Sequence, residues 1–167
     1  KNKTLLESTK DRLEEMKPMV IDYSLHQGVY GYNSNIPCEM EELKAFGVKT
    51  LKIFTTDRNV GYLIENRDEL LDRFKNAKRL GLLVTAHCEF NPLIEEISDN
   101  WKGDFSPTSH ALLRPSEAES LAIEYFGSIA LEANCPLYIV HVSSEKGLQA
   151  VLKLRERGAT IYSETTP

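Results

Sequence analysis

Residues 82–89, LLVTAHCE, run without a charge from Leu82 to Ala86 and then meet a histidine. An apolar run of that length reads as a strand covered on both faces, which in a soluble protein means a parallel sheet under helices. The pattern recurs at 137–144, LYIVHVSS, where His141 interrupts it, and at 50–54, TLKIF, where Lys52 does. Three buried strands, each with one ligand-capable or ionisable side chain, are the main constraint on what this chain can fold into.

The segments between these runs have a helical period. Residues 4–16 place Leu5, Leu6, Leu13 and Met16 on one helical face, and Pro18 blocks continuation. Residues 19–25, MVIDYSL, predict a strand ending at His26, followed by a loop to Pro37 and a short helix over 38–46 stopped by Gly47. Asn66 with Glu69, and Ser116 with Glu119, have the capping-box spacing and open helices over 66–80 and 117–133. The longest irregular stretch, 90–115, has one helical turn at 92–98 and is long enough to be functional. Strands at 82–88 and 137–142, a helix over 145–157 stopped by Gly158, and a strand at 160–164 complete the order: a helix, then β-α-β-α-β-α-β-α-β.

Strict alternation implies a parallel sheet with crossover helices, either an open doubly wound sheet or a segment of a (β/α)8 barrel. The open sheet usually carries a Gly-rich phosphate loop after its first strand. Here that loop is HQGVYGYNSNIP, without GxGxxG or GxxxxGK[ST]. The expected fold class is therefore α/β: a partial (β/α)8 TIM-barrel segment of about five parallel strands, in one domain over 1–167. A chain of 167 residues can bury roughly 70% of its unfolded surface.

Composition removes several functions. A net charge of −5 with no basic stripe argues against a nucleic-acid partner. No apolar run approaches the ~20 residues of a membrane span, and KNKTLLESTK has no apolar segment of a secretory signal. Cys38, Cys88 and Cys135 are odd in number and outside any CxxC, so they read as thiols of a reducing, cytoplasmic compartment.

Side chains alternate across a strand. By that parity Lys52 shares a face with Thr50 and Phe54, His87 with Leu83 and Thr85, and His141 with Leu137 and Ile139. Leu51, Ile53, Val84, Ala86, Tyr138 and Val140 are left to pack under helices. If Lys52, His87 and His141 point into a barrel near its strand C-termini, they converge where such barrels place active sites. Two neutral imidazoles suit zinc or a similar metal. Each residue also has a structural reading: a strand-end histidine is often a satisfied core residue, and a lysine in an apolar strand often snorkels to an edge. Pattern alone leaves both open. Glu89 is placed to orient His87, Arg114-Pro115 to shape the entry to the long helix, His26 to serve a packing or loop role, and His110 to sit at the helix entry or on the surface.

Several segments together resemble the cyclic amidohydrolases, the hydantoinase, dihydropyrimidinase, allantoinase and dihydroorotase branch of the amidohydrolase superfamily. They are LKIF (51–54), VTAHCE (84–89), SHALLRPSEAE (109–119), LYIVHVSS (137–144) and YSETTP (162–167), in order and with similar spacing. DYSLH (22–26) also resembles the dihydropyrimidinases and their non-enzymatic collapsin-response-mediator relatives. The resemblance implies a barrel with two metal ions, usually zinc, bridged by a carboxylated lysine. Lys52 matches that lysine, and His87 and His141 match the two histidines of the more exposed metal. An ammonium has no lone pair to give, whereas its CO2 adduct offers two carbamate oxygens. A hydroxide between ions ~3.5–4 Å apart could attack the carbonyl of a small cyclic amide and cleave its C–N bond.

The departures from that family are as informative. Its HxH pair is missing, since the four histidines are His26, His87, His110 and His141. Its acid/base aspartate falls on a strand beyond this chain, so no catalytic residue is expected within it, and the companion β-sandwich is missing too. The position of a substrate-contacting tyrosine, five residues after the lysine, is Asp57. With no starting Met, the chain reads as a middle piece of a larger enzyme, inactive alone and binding one zinc or none. Unpaired sheet edges and an uncovered lumen should drive self-association into homo-oligomers. The alternative is a non-catalytic assembly module; keeping Lys52, His87 and His141 together favours the enzyme.

Overall fold

The computed structural model describes residues 3–30, 35–56, 61, 63, 64, 66–104 and 106–166. Five strands, β1 Gln27–Gly28, β2 Thr50–Phe54, β3 Leu83–His87, β4 Leu137–Ile139 and β5 Ile161–Ser163, form one sheet. Every pair is parallel and neighbours in space are neighbours in sequence, in the order β1-β2-β3-β4-β5. Among the described residues seven helices accompany them: α1 Leu5–Met16, α2 Ile36–Phe46, α3 Arg67–Leu80, α4 Asn91–Asp99, α5 Ser109–Leu113, α6 Ser116–Glu132 and α7 Glu145–Glu156. The crossover helices pack on each other in the same sequence, α2 on α3, α3 on α6 and α6 on α7. A doubly wound sheet reverses its strand order at a switch point and covers both faces. Unreversed order with one helical layer is instead the arrangement of a (β/α)8 barrel segment, as the sequence predicts.

The layering explains which residues are buried. Leu51, Ile53, Val84, Ala86, Leu137 and Ile139 lie under the helices, each at most 1% exposed. Phe74 of α3 and Phe126 of α6 stack with ring centroids 6.2 Å apart in the same core. At Gly127 a Cβ would sit 2.2 Å from Leu154 Cδ1, so glycine there permits the close approach of α6 and α7. The other face of the sheet carries one register row of Lys52, Thr85, Tyr138 and Tyr162. That row would face a barrel lumen. Here Tyr162 is 51% exposed, and Tyr138 donates a 2.8 Å hydrogen bond to Glu164. Among the described residues no helix is long and apolar enough to cross a membrane.

Local chemistry sets most element ends. Thr4 and Glu7 close a capping box on α1, and Leu5 N–H donates to Glu39 Oε2 of α2 at 2.8 Å, tying the first helix to the layer. Asn66 accepts from the Asp68 and Glu69 amides and starts α3, which ends at Gly81. All three thiols are free, with Cys88 and Cys135 buried and Cys38 exposed.

Three expectations fail here. Residues 19–25 are not a strand: Val20 is 97% and Ile21 66% exposed, and pairing starts at Gln27. The parallel register matches Gln27 to Leu51, so residues before His26 lie beyond the start of β2 and have no neighbour to pair with. His26 instead meets Thr50 Oγ1 at 2.7 Å, a structural contact. Ser116 does not cap α6: Pro115 occupies the cap position, and Glu119 turns elsewhere. The stretch after β3 has its expected helical turn as α4, but it also holds α5, a short helix that the sequence does not predict.

Two substitutions test this packing. Phe126→Ala should destabilise the fold by about 3–5 kcal/mol, as large aromatic truncations in a closed core do. Val20→Ala should stay within about 0.5 kcal/mol, as exposed substitutions do. Urea unfolding followed by circular dichroism measures both, and a large loss for Val20→Ala would restore the buried strand at 19–25.

Candidate functional site

Lys52 sits mid-strand in β2 on the face away from the helices, and its ammonium lies 5.1 Å from the centre of the Phe54 ring. Burial lowers its pKa from the ordinary lysine value, which favours the neutral amine. One step further along the same face the register pairs Phe54 with His87, with ring centroids 5.5 Å apart. His87 therefore ends β3 with its ring over the C-terminal edge of the sheet.

The His87 ring is held at both nitrogens. Nε2 lies 2.8 Å from Glu89 Oε2, and Nδ1 lies 2.9 Å from Nε2 of His141. Glu89 is fixed in turn by Arg114, whose Nη1 pairs with the same carboxylate oxygen. Thr55 ties the backbone down: its hydroxyl donates to Glu89 O at 2.7 Å and accepts from Glu89 N–H at 3.3 Å. Burial opposes ionisation of Glu89, but the His87 hydrogen bond and the Arg114 charge prevail, and its pKa falls below the usual carboxylate value. An ionised Glu89 accepts the Nε2 proton of His87 and leaves a lone pair on Nδ1, on the side of His141.

His141 reaches that position by a different route from the one parity predicts. Leu137 and Ile139 lie under the helices, so strict alternation would send His141 there too. The strand stops at Ile139, and His141 takes φ +42°, which turns its ring onto the open face beside His87. The faces assigned to β4 from the sequence are thus exchanged: Tyr138, not Ile139, shares the row of Lys52 and Thr85. A non-glycine residue in this conformation costs on the order of 1–3 kcal/mol, so the surroundings must hold it there. Burial first, then His87 and Lys52, lower the pKa of His141 against the opposing Glu119 charge, which keeps the imidazole neutral near pH 7.

The structure brings His87 and His141 into contact and puts Lys52 on their face of the sheet. His87, Glu89, Arg114, Glu119, His141 and Ser144 all line one cavity of about 330 Å³. Asp57 lies outside the described residues. His110 is exposed on α5 and acts on the site only through its charge, the smallest of the influences that lower the pKa of Glu89. Arg114 does more than shape a helix entry, since it fixes Glu89. Glu119 was read from the sequence only as a capping residue, yet it accepts from the Ser143 and Ser144 amides just after His141.

The donors fit part of a metal site. Two imidazole nitrogens approach each other, and zinc bonds of ~2.0–2.1 Å at tetrahedral angles would set them about 3.3 Å apart, slightly wider than observed. Among the described residues no cluster of three or more His, Cys, Asp or Glu could hold a metal ion, and the further group that the sequence singles out on this face is Lys52. An ammonium offers a metal no lone pair.

No family model matches the chain. It is 31% identical to the dihydropyrimidinase of Rattus norvegicus over 146 residues, covering 86% of this chain and 28% of that protein. It is 31% identical to the D-hydantoinase of Ralstonia pickettii over 147 residues, covering 87% and 32%. The crystal structure of dihydropyrimidinase from Brevibacillus agri superposes with a TM-score of 0.91 at 30% identity, over 99% of this chain and 36% of that one. D-hydantoinase from a Bacillus sp. gives 0.91 at 30% identity, over 98% and 36%. The chain thus spans about a third of the length of the proteins it matches.

Truncating Arg114 to Ala should cost about 1–3 kcal/mol, because the partly buried Glu89 carboxylate loses its charged partner. Urea unfolding of Arg114→Ala, Glu89→Ala and the double variant reads the coupling. Strictly additive losses would mean that the two side chains do not act as a unit.

Proposed function

We propose that this chain, a homologue of the dihydropyrimidinases and D-hydantoinases, supplies three metal-binding residues to an enzyme that opens a cyclic amide by C–N hydrolysis. Lys52, as its carbamate, with His87 and His141, would hold zinc, two ions per complete site. The contact between the His87 and His141 rings carries the reading, because two imidazoles meet edge-on, nitrogen to nitrogen, at the C-terminal edge of a barrel segment. When bound, the metals supply an activated water and polarise the ring carbonyl. The chain's own residues do the preparatory work: Glu89 accepts from His87 Nε2, His87 and Arg114 together favour the ionised Glu89, and the lowered pKa of His141 favours its neutral ring.

The substrate class follows from the matched relatives, whose names point to hydantoins and dihydropyrimidines. A non-catalytic assembly module is not favoured, since those relatives carry enzyme names. Because the chain spans about a third of them, we place the remaining ligands, the acid/base group and the ring-binding surface in further chain, and this piece alone should be inactive. Its bare lumen-side row, with Tyr162 half exposed, fits burial against that chain or a second copy. Unpaired thiols fit a reducing, cytoplasmic setting.

Calorimetric titration with zinc in bicarbonate buffer tests the reading on the 167-residue chain. The wild type should bind zinc, Lys52→Ala should bind it at least about tenfold more weakly, and His87→Ala/His141→Ala should not bind it. Unchanged uptake by Lys52→Ala would sink the metal assignment. Hydantoin or dihydrouracil incubated with the chain alone should yield no ring-opened product; turnover would show that nothing further is needed.

A further inference from the structure

The left-handed backbone at His141 needs a cause, and the structure assigns one. We propose that Glu119 is a positioning residue: from α6 it clamps the turn after β4 and so keeps the His141 ring facing His87. The inference rests on the reading of His141 as a metal ligand and adds to it the group that determines where that ligand points.

Glu119 uses both carboxylate oxygens on two consecutive amides of that turn. Oε1 accepts from Ser143 N–H at 2.8 Å, and Oε2 accepts from Ser144 N–H at 2.9 Å and from Ser144 Oγ at 2.5 Å. The turn closes on His141 itself, because Ser143 Oγ donates to His141 O at 2.8 Å. Ser144 Oγ also accepts from Gly147 N–H at 3.0 Å, so one serine joins the carboxylate to the first turn of α7. On the other side Val142 N–H donates to Glu164 O at 2.7 Å. The residue after His141 and the two beyond it are thus all pinned, and the φ of His141 absorbs the mismatch between that turn and the strand.

The pocket around Glu119 is shaped for a carboxylate. A Cβ on Gly147 would lie 2.3 Å from Glu119 Oε2 and 2.9 Å from its Cδ, so only glycine leaves the group room. Glu117, two residues earlier on α6, makes a different contact, an exposed ion pair with Lys146. Position on the helix, rather than charge alone, selects Glu119 for the turn.

Two variants disturb this clamp in opposite ways. Glu119→Gln keeps the size but sets an NH2 group against an amide donor. Gly147→Ala keeps Glu119 but fills its space, although alanine ordinarily favours a helix. Glu117→Gln is the control. The full chain is prepared in each form, its fold checked by circular dichroism, and its histidine rings observed by long-range 1H–15N correlation spectra without metal. Both clamp variants should stay folded and lose the hydrogen-bonded signature of the His87–His141 pair, while the control keeps it. Titration with zinc should then show affinity about 10–100-fold weaker for the clamp variants than for the control. Ring spectra unchanged in the folded clamp variants overturn the proposal, and so does unfolding of both, which would make Glu119 a requirement of the fold. Should wild-type chain bind no zinc, the metal reading fails, and the metal-free ring spectra still decide the role of Glu119.

Discussion

The contact between His87 and His141 is where fold and chemistry meet. Two rings from adjacent parallel strands lie 2.9 Å apart at their nearest nitrogens, and neither is placed by its strand alone. His87 is steadied by Glu89, two residues further on, which is gripped by Arg114 across the loop. His141 is steadied by a turn whose amides end on Glu119. Two carboxylates thus orient two imidazoles: one bonds a ring, the other bonds the backbone that carries a ring. Outer partners of this kind commonly set ligand geometry and affinity in metal sites.

That arrangement depends on the helices lying on one face. Leu51, Ile53, Val84, Ala86, Leu137 and Ile139 are consumed by the helical layer, which leaves Lys52, Thr85 and His87 on the opposite face with no helix to compete for them. A sheet covered on both sides would have forced Lys52 to shed its charge or find a partner in a packed layer. On an open lumen side the ammonium is only half-buried, and burial there lowers its pKa without requiring an ion pair. The face that makes the piece incomplete as a globule also makes it chemically useful.

Much of this was legible in the sequence. The strands at Thr50–Phe54 and Leu83–His87, the cap at Asn66 and the stop at Gly81 follow from apolar runs and local hydrogen-bonding chemistry. Lys52 and His87 were put on the right face because alternation holds while a strand is paired. His141 was put on the right side for the wrong reason. Parity was carried past the point where the ladder ends, and a positive φ reversed the outcome. The apolar run at 19–25 misled in a similar way, since β-forming residues make a strand only where a neighbour lies alongside. Ser116 and Glu119 have capping-box spacing, but Pro115 takes the cap and a distant pair of amides takes the carboxylate. Each miss is a tertiary partner that a local pattern does not contain.

α6 draws these threads together. Its buried side supplies Phe126, Ile123 and Ile129 to the core, and Gly127 lets α7 lie close against it. Arg114 precedes its first turn and Glu119 leaves that turn toward β4, so both supports of the histidine pair hang from one end of one helix. A helix's first turn leaves amide donors without intrahelical partners, yet Glu119 accepts from the amides of a different turn. Core packing and ligand geometry here are one mechanical unit, and a lesion in either should be felt in the other.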